Sequence, residues 1–258
     1  MRIFGVQFDM AWEDRAANYA KVESLLAAES IPAGSLIVLP EMFASGFSMN
    51  VDLIHEESPS ETEAFLAELA GRYQSCVIGG LVGRSISGMG VNKLSVYGPN
   101  KELMGTYQKN HCFSFTGESD HYEPGTDILV FDWQGFSICP TICYDLRFPE
   151  LYRRGVRAGA NLFPVIASWP VDRIDHWDTL AKARAIENQA IVVAVNRIGK
   201  DPKWTYTGHT QVIDQQGKVL AKAVDEATCV SAEVSTEPLL EWRSRFKALQ
   251  DMKEILPA

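Results

Sequence analysis

The sequence predicts an α/β fold of four layers, in which two mixed sheets pack face to face and helices cover each outer face. Three observations carry that expectation. Short apolar runs alternate with amphipathic helical patterns, hairpin signals are mixed among longer α/β crossovers, and 258 residues at 46% apolar content can build one large core. No repeat, low-complexity tract or Pro/Gly/Ser linker marks a boundary. Residues 1–258 therefore read as one domain, with 238–258 as a C-terminal extension.

The elements follow in order. Met1-Arg2-Ile3-Phe4-Gly5-Val6-Gln7-Phe8 enters a strand pattern directly, leaving no room for the parts of a secretory signal, so the expected setting is the cytoplasm. Residues 14–29 place Tyr19, Val22, Leu25 and Leu26 on one helical face. Ser60-Glu61-Thr62-Glu63 is a capping box that opens a helix with Phe65, Leu66 and Leu69 inward. A strand follows at 76–82. Three hairpins are expected next, returning through Pro99-Asn100, Gln134-Gly135 and Gln216-Gly217. Helices are expected at 149–157 and 176–188, the second leading into a strongly apolar strand at 191–195. The tail at 238–253 carries Leu239, Leu240, Trp242, Phe246, Leu249 and Met252 at near-helical spacing.

Composition removes several function classes. A net charge of −9 and the lack of clustered Lys and Arg argue against a nucleic-acid surface. No apolar run reaches membrane-spanning length. Five cysteines at irregular positions form neither a disulfide framework nor a CxxC metal pair, and read as reduced thiols. Cys76, Cys139 and Cys229 lie among apolar neighbours, whereas Cys112 is close enough to Lys109 to line the same pocket. The five histidines, at 55, 111, 121, 176 and 209, lack a Cys-His-Asn context, and His121 and His176 have no companion ligands. No metal or cofactor is expected. No G-x-S-x-G elbow occurs.

Three residues each end a strand-like run: Glu41 after Ser35-Leu36-Ile37-Val38-Leu39-Pro40, Lys109 after Leu103-Met104-Gly105-Thr106-Tyr107-Gln108, and Cys143 after the run ending Pro140-Thr141-Ile142. Taken singly each is ordinary, as a solvated cap, an edge guard and a packing thiol. Together they bring a carboxylate, an ammonium and a thiol to one sheet edge.

Their order and contexts, Glu41-Met42-Phe43-Ala44-Ser45-Gly46-Phe47, Tyr107-Gln108-Lys109-Asn110-His111 and Cys143-Tyr144-Asp145-Leu146-Arg147-Phe148-Pro149-Glu150, resemble the nitrilase superfamily of carbon-nitrogen hydrolases. The resemblance spans nearly the whole chain. It implies the α-β-β-α sandwich, a Glu-Lys-Cys triad, and a second active-site carboxylate at Glu118 ahead of Tyr122-Glu123-Pro124-Gly125. Cys112-Phe113 departs from the Leu-Phe usual in relatives, a change of packing. Amide hydrolysis needs a strong nucleophile, a proton carrier and an oxyanion holder. In that scheme Cys143 forms a thioester, Glu41 carries protons, and Lys109 with the Tyr144 N–H holds the oxyanion. Asp145, Arg147 and Glu150 are expected to fix the elbow as an ion-pair and capping set, and Arg184, Glu187 and Asn188 to brace a helix.

Within the superfamily, Ser168-Trp169-Pro170, Arg173 and His176-Trp177 look most like the bacterial omega-amidases, with deaminated-glutathione amidases as the alternative. The resemblance implies hydrolysis of 2-oxoglutaramate to 2-oxoglutarate and ammonia. Phe43, Phe47, Tyr144 and Trp169 are then candidate walls and Arg173 the candidate anion partner. It also implies a homodimer, with the tail at or near its seam. A catalytically idle binding protein is the reading from another class, and the intact Glu41, Lys109 and Cys143 speak against it.

Overall fold

The computed structural model describes residues 1–253. Its first sheet has six strands, in spatial order β14 (Thr228–Glu233), β1 (Arg2–Gln7), β2 (Leu36–Val38), β3 (Cys76–Arg84), β4 (Gly90–Tyr97) and β5 (Leu103–Gln108). The second runs β11 (Ile198–Lys200), β12 (Thr205–Ile213), β10 (Ile191–Asn196), β9 (Leu162–Ala167), β7 (Phe136–Ile138) and β6 (Phe131–Trp133), with β13 (Val219–Val224) on β12 and the short β8 (Thr141–Ile142) beside β9. Both are mixed. β1, β2 and β3 are parallel to one another, as are β8, β9 and β10, while the hairpins are antiparallel.

Strand alternation divides the side chains between two cores. Ile3, Leu36, Val38, Cys76 and Ile78 face inward to Ile138, Val165, Val193 and Val212 of the second sheet. Their neighbours Phe4, Ile37, Leu39 and Val77 face outward, beneath Val22 and Leu26 of α1 (Arg15–Ala27) and Leu66, Leu69 and Ala70 of α3 (Glu61–Tyr73). A period of two can serve both faces because each is covered. Between those helices lies the single-turn α2 (Val51–Ile54), and α4 (Glu118–His121) is equally short. On the far side α5 (Pro149–Arg157) and α6 (Ile174–Asn188) cover the second sheet through Leu151, Tyr152, Trp177, Ala181 and Ala185. The four-layer α-β-β-α sandwich is thus the fold.

Local chemistry sets the boundaries. The Ser60 hydroxyl accepts from the Glu63 N–H while the Glu63 carboxylate accepts from the Ser60 N–H, both at 3.0 Å, the expected capping box. Gln134 and Gly135 both have positive φ between the paired Trp133 and Phe136, as a two-residue hairpin turn requires. The strand that leads into this turn is short, Phe131–Trp133. The tail departs further. α7 (Thr236–Arg245) stops where Phe246 turns extended, and a separate 3-10 turn follows at Ala248–Asp251, so the tail is not one continuous helix. Among its described apolar residues only Leu239 is buried, while Leu240 and Phe246 are exposed. No helix among the described residues is long and apolar enough to cross a membrane.

Gly80 of β3 is a point where backbone meets backbone. A Cβ there would lie 2.6 Å from the Met42 nitrogen and 2.8 Å from the Glu41 Cα. Neither atom can swing aside as a side-chain tip would. Gly80→Ala is therefore expected to displace the 40–42 segment and to destabilise the fold by about 1–3 kcal/mol, measured by urea unfolding. An unchanged midpoint would show that this segment yields freely.

Candidate active site

The parallel strands of both sheets deliver their C-terminal ends to one edge, and the functional side chains emerge there. After β2 the chain continues alongside β3, with Leu39 N–H donating to Ile78 O at 2.8 Å, and reaches Glu41. Lys109 follows β5, held by its own N–H on Asn92 O at 2.9 Å and by Gly125 N–H on its carbonyl at 2.8 Å. Glu118 opens α4 directly after Gly117, whose φ of +79° turns the chain back. Cys143 follows β8 and itself stands at φ +48°. For a residue with a Cβ that conformation costs on the order of 1 kcal/mol.

Lys109 Nζ lies 2.9 Å from Glu41 Oε1 and 2.9 Å from both Glu118 oxygens. Glu41 and Glu118 are 0% exposed and Lys109 is 1% exposed, so none of these charges can turn to water. Burial works against the Lys109 ammonium, yet the Glu118 and Glu41 carboxylates outweigh it and hold its pKa well above the ordinary lysine range. Burial, with Glu41 beside it, pushes the Cys143 thiol well above the ordinary cysteine range, against the pull of Lys109 and of the Ser168 N–H. The resting sulfur is therefore a thiol, and it needs a base as it attacks. The other cysteines are no better nucleophiles. Burial raises Cys139 and Cys229 to about 12, and Cys112 to about 11.

Asp145 organises the elbow. One oxygen accepts from the His111 N–H at 3.0 Å and lies 2.8 Å from His111 Nδ1, while the other accepts from the Tyr107 hydroxyl at 2.6 Å and the Ile142 N–H at 3.1 Å. The His111 ring also stacks on Phe148, 3.7 Å between centroids. Arg184 donates through Nε and Nη2 to the Leu146 carbonyl, bracing the elbow from α6 as expected.

In front of Cys143 lies a cavity lined by Phe47, Tyr144, Trp169 and Arg173 among the expected residues. Phe43 is not among them. Its ring is fully buried on the outer face of the first sheet, beside Tyr19 and Phe65, so it belongs to the core and not to the wall. Cys112 likewise stays outside, packed against the cluster of Met42, Phe47 and Tyr122. Of the ion-pair and capping set expected of Asp145, Arg147 and Glu150, the capping by Asp145 of the Ile142 N–H forms, while no ion pair joins the three. Arg147 instead lines the cavity, its guanidinium 4.8 Å from the Trp169 ring and 3.1 Å from His176 Nδ1. Sequence reasoning also missed Phe113, Thr116, Trp204 and Tyr206 on the walls, and Asn92 behind the carboxylates. An Asn inside an apolar strand was the available signal for the last.

Residues 5–244 match the carbon-nitrogen hydrolase family. An omega-amidase YafV of Yersinia enterocolitica is 38% identical over 255 residues, covering 97% of this chain and 96% of that one. A 2-oxoglutaramate amidase of Bacillus subtilis is 31% identical over 252 residues, covering 97% of each. Among solved structures, a CN-hydrolase superfamily protein of Xanthomonas campestris, which carries an arsenic adduct in its active site, superposes with a TM-score of 0.93 at 33% identity. The match covers 100% of this chain and 99% of that one.

Asp145→Ala would strand the Ile142 and His111 N–H groups and the Tyr107 hydroxyl. Several unpaired buried donors together are expected to cost about 3–5 kcal/mol, a melting temperature lower by on the order of 10 °C. Calorimetry reads this directly. A shift within a degree or two would mean that the elbow keeps its shape without the carboxylate.

Proposed function

The chain belongs to the carbon-nitrogen hydrolase family, and on that premise we propose that it hydrolyses the terminal amide of a small 2-oxo acid, 2-oxoglutaramate, through a thioester on Cys143. The observation that carries the anionic substrate is electrostatic. Two guanidinium groups, Arg147 and Arg173, line the cavity in front of the thiol, and Arg173 Nη2 is buried with no hydrogen-bond partner among the described residues. A buried unpaired donor of this kind wants an acceptor, and a substrate carboxylate supplies one bidentately. The names of the relatives from Yersinia enterocolitica and Bacillus subtilis support the same substrate.

In this reading the amide carbonyl sits between Cys143 and Lys109. One Lys109 N–H is taken by Glu41 and one is shared by the Glu118 oxygens, which leaves the third for the developing oxyanion, with the Tyr144 N–H as second donor. Phe47, 5.3 Å from Nζ, closes the site on one side. Glu118 holds Lys109 in place. Glu41 takes the thiol proton, hands it to the leaving nitrogen, then activates the water that releases the acid.

A deaminated-glutathione amidase has one observation in its favour. A second cleft, lined by Trp12, Met49, Pro202 and Lys203, shares Phe47, Thr116 and Trp204 with the first and gives room for a longer tail. Ammonia release from 2-oxoglutaramate, glutamine and deaminated glutathione separates the readings. The highest kcat/KM is expected on 2-oxoglutaramate, with Cys143→Ala folded and inactive and Lys109→Met slower by at least a hundredfold. Arg173→Met should act mainly through KM. A preference for deaminated glutathione would overturn the substrate, and near-native activity of Lys109→Met would overturn the triad.

We also propose a homodimer in the cytoplasm. Support for assembly is the exposure of Leu240 and of Phe246, the latter's ring centroid 5.5 Å from that of the half-buried Trp242, apolar area of the kind that an interface covers. The free cysteines fit a reducing compartment. Light scattering on the intact chain should give twice the 28.7 kDa of one copy. A fully active monomer at micromolar concentration would end the dimer proposal.

A further inference from the structure

We infer that Asn92 is a positioning residue of the reaction: together with Lys109 it occupies Oε1 of Glu41 and so makes Oε2 the oxygen that exchanges protons with Cys143. The inference rests on the reading of Glu41 as the base, and its test separates the two.

The geometry is a closed ring of four groups. Asn92 Nδ2 donates to Glu41 Oε1 at 2.7 Å and to Glu118 Oε1 at 2.9 Å. Lys109 Nζ donates to the same two oxygens, each at 2.9 Å. The amide has two N–H bonds and spends one on each carboxylate. Turned over, it would aim its carbonyl oxygen at two anions, so the orientation is fixed by charge. Asn92 is 1% exposed, and its Oδ1 finds no partner. The two anions thus hold the amide against the loss of a hydrogen bond elsewhere.

A carboxylate oxygen has two in-plane acceptor sites. Oε1 of Glu41 has both filled, by Lys109 and Asn92. Oε2 has one filled, by the Ser168 N–H at 2.9 Å. That same N–H and the Glu41 carboxylate both act on the Cys143 thiol, so the remaining site of Oε2 is the one assigned to the thiol. The first step then balances as follows. Sγ forms a bond to the amide carbon, its proton passes to Oε2, and the carbonyl π electrons move to oxygen. As the tetrahedral adduct collapses, the proton moves from Oε2 to nitrogen, the C–N bond breaks and ammonia leaves. In the second half Oε2 takes a proton from water, hydroxide adds to the thioester, and the departing sulfur recovers the proton. Without Asn92, Lys109 alone holds Oε1 and the plane of the Glu41 carboxylate is no longer fixed.

The surroundings make a donor on Glu41 consequential. Facing it are Lys109, Glu118 and Cys143, with the hydroxyls of Tyr122 and Tyr206 farther off. A hydrogen bond given to an ionised carboxylate favours that form.

The test follows alkylation of Cys143 by iodoacetamide, which needs the same proton transfer and no knowledge of the substrate. Its rate is measured against pH by mass spectrometry for the intact protein and for Asn92→Ala, Asn92→Asp and Glu41→Gln, with circular dichroism for folding. Asn92→Ala is expected to react about tenfold to a hundredfold more slowly near neutrality, and to lower kcat more than it changes KM. Asn92→Asp, nearly isosteric, adds a third carboxyl to the ring. It should slow the reaction at least as much and decides the matter if Asn92→Ala does not fold. A folded Asn92 variant with the native rate and native kcat, while Glu41→Gln is slow, overturns the role of Asn92 alone. A native rate in Glu41→Gln overturns the base reading beneath it.

Discussion

The structure depends on one buried ammonium. Lys109 is 1% exposed between two carboxylates that are 0% exposed, and none of the three could be buried by itself. An isolated carboxylate or ammonium would lose several kcal/mol of hydration. Glu41 and Glu118, deprived of the lysine, would also face each other as like charges across a few ångströms. The ammonium makes the pair of acids possible, and the acids keep the ammonium charged. Because the partners come from the ends of β2 and β5 and from α4, the pairing is available only once the first sheet has formed and the 113–121 segment has folded back. The polar centre thus reports on correct assembly of the fold that carries it.

That arrangement resolves a tension at the sulfur. A cysteine beside an imidazolium or a helix N-terminus becomes a thiolate at rest. Here burial and Glu41 raise the thiol instead, since the two acids and one base around it sum to a negative charge. A buried thiolate would add another. In the proposed mechanism, transfer of the proton to Glu41 during attack avoids this: as Glu41 becomes neutral, the negative charge reappears on the carbonyl oxygen, next to Lys109. The buried charge is constant through the step, and only its position changes. Preorganised donors are most effective in that situation.

How much of this was legible in the sequence depends on the range over which each signal acts. The helix at 14–29, the Ser60 box and the Gln134-Gly135 turn are local, and their physics is complete within a few residues. Glu41, Lys109 and Cys143 could be picked out because each ends an apolar run. Orientation was harder. Phe43 and Phe47 sit four residues apart in one loop, yet Phe43 enters the outer core and Phe47 the cavity, because the loop reverses at Met42 and Gly46, both at positive φ. Arg147 read as an elbow brace since charges at a helix start usually find partners there. Asp145 instead spent its acceptors on Tyr107, His111 and Ile142, leaving Arg147 for the cavity. Trp204 and Tyr206 reach the wall through pairing of β12 with β11 and β10, which no local pattern specifies.

Asp145 has a second consequence, for the spacing of the site. Tyr107 lies near the end of the strand that leads to Lys109, and His111 lies two residues beyond that lysine, whereas Ile142 and Asp145 flank Cys143. The first pair belongs to the first sheet and its continuation, the second to the other sheet. One carboxylate bonded to both sides therefore sets the lysine against the thiol across the interface between the sheets. The apolar core could not do this alone, because side chains packed by shape tolerate small slides of one sheet over the other, while oxyanion stabilisation is lost over fractions of an ångström. A directional buried network supplies what packing leaves loose. The left-handed backbone at Cys143 is held within the same network, so its strain is balanced where the geometry must be tightest.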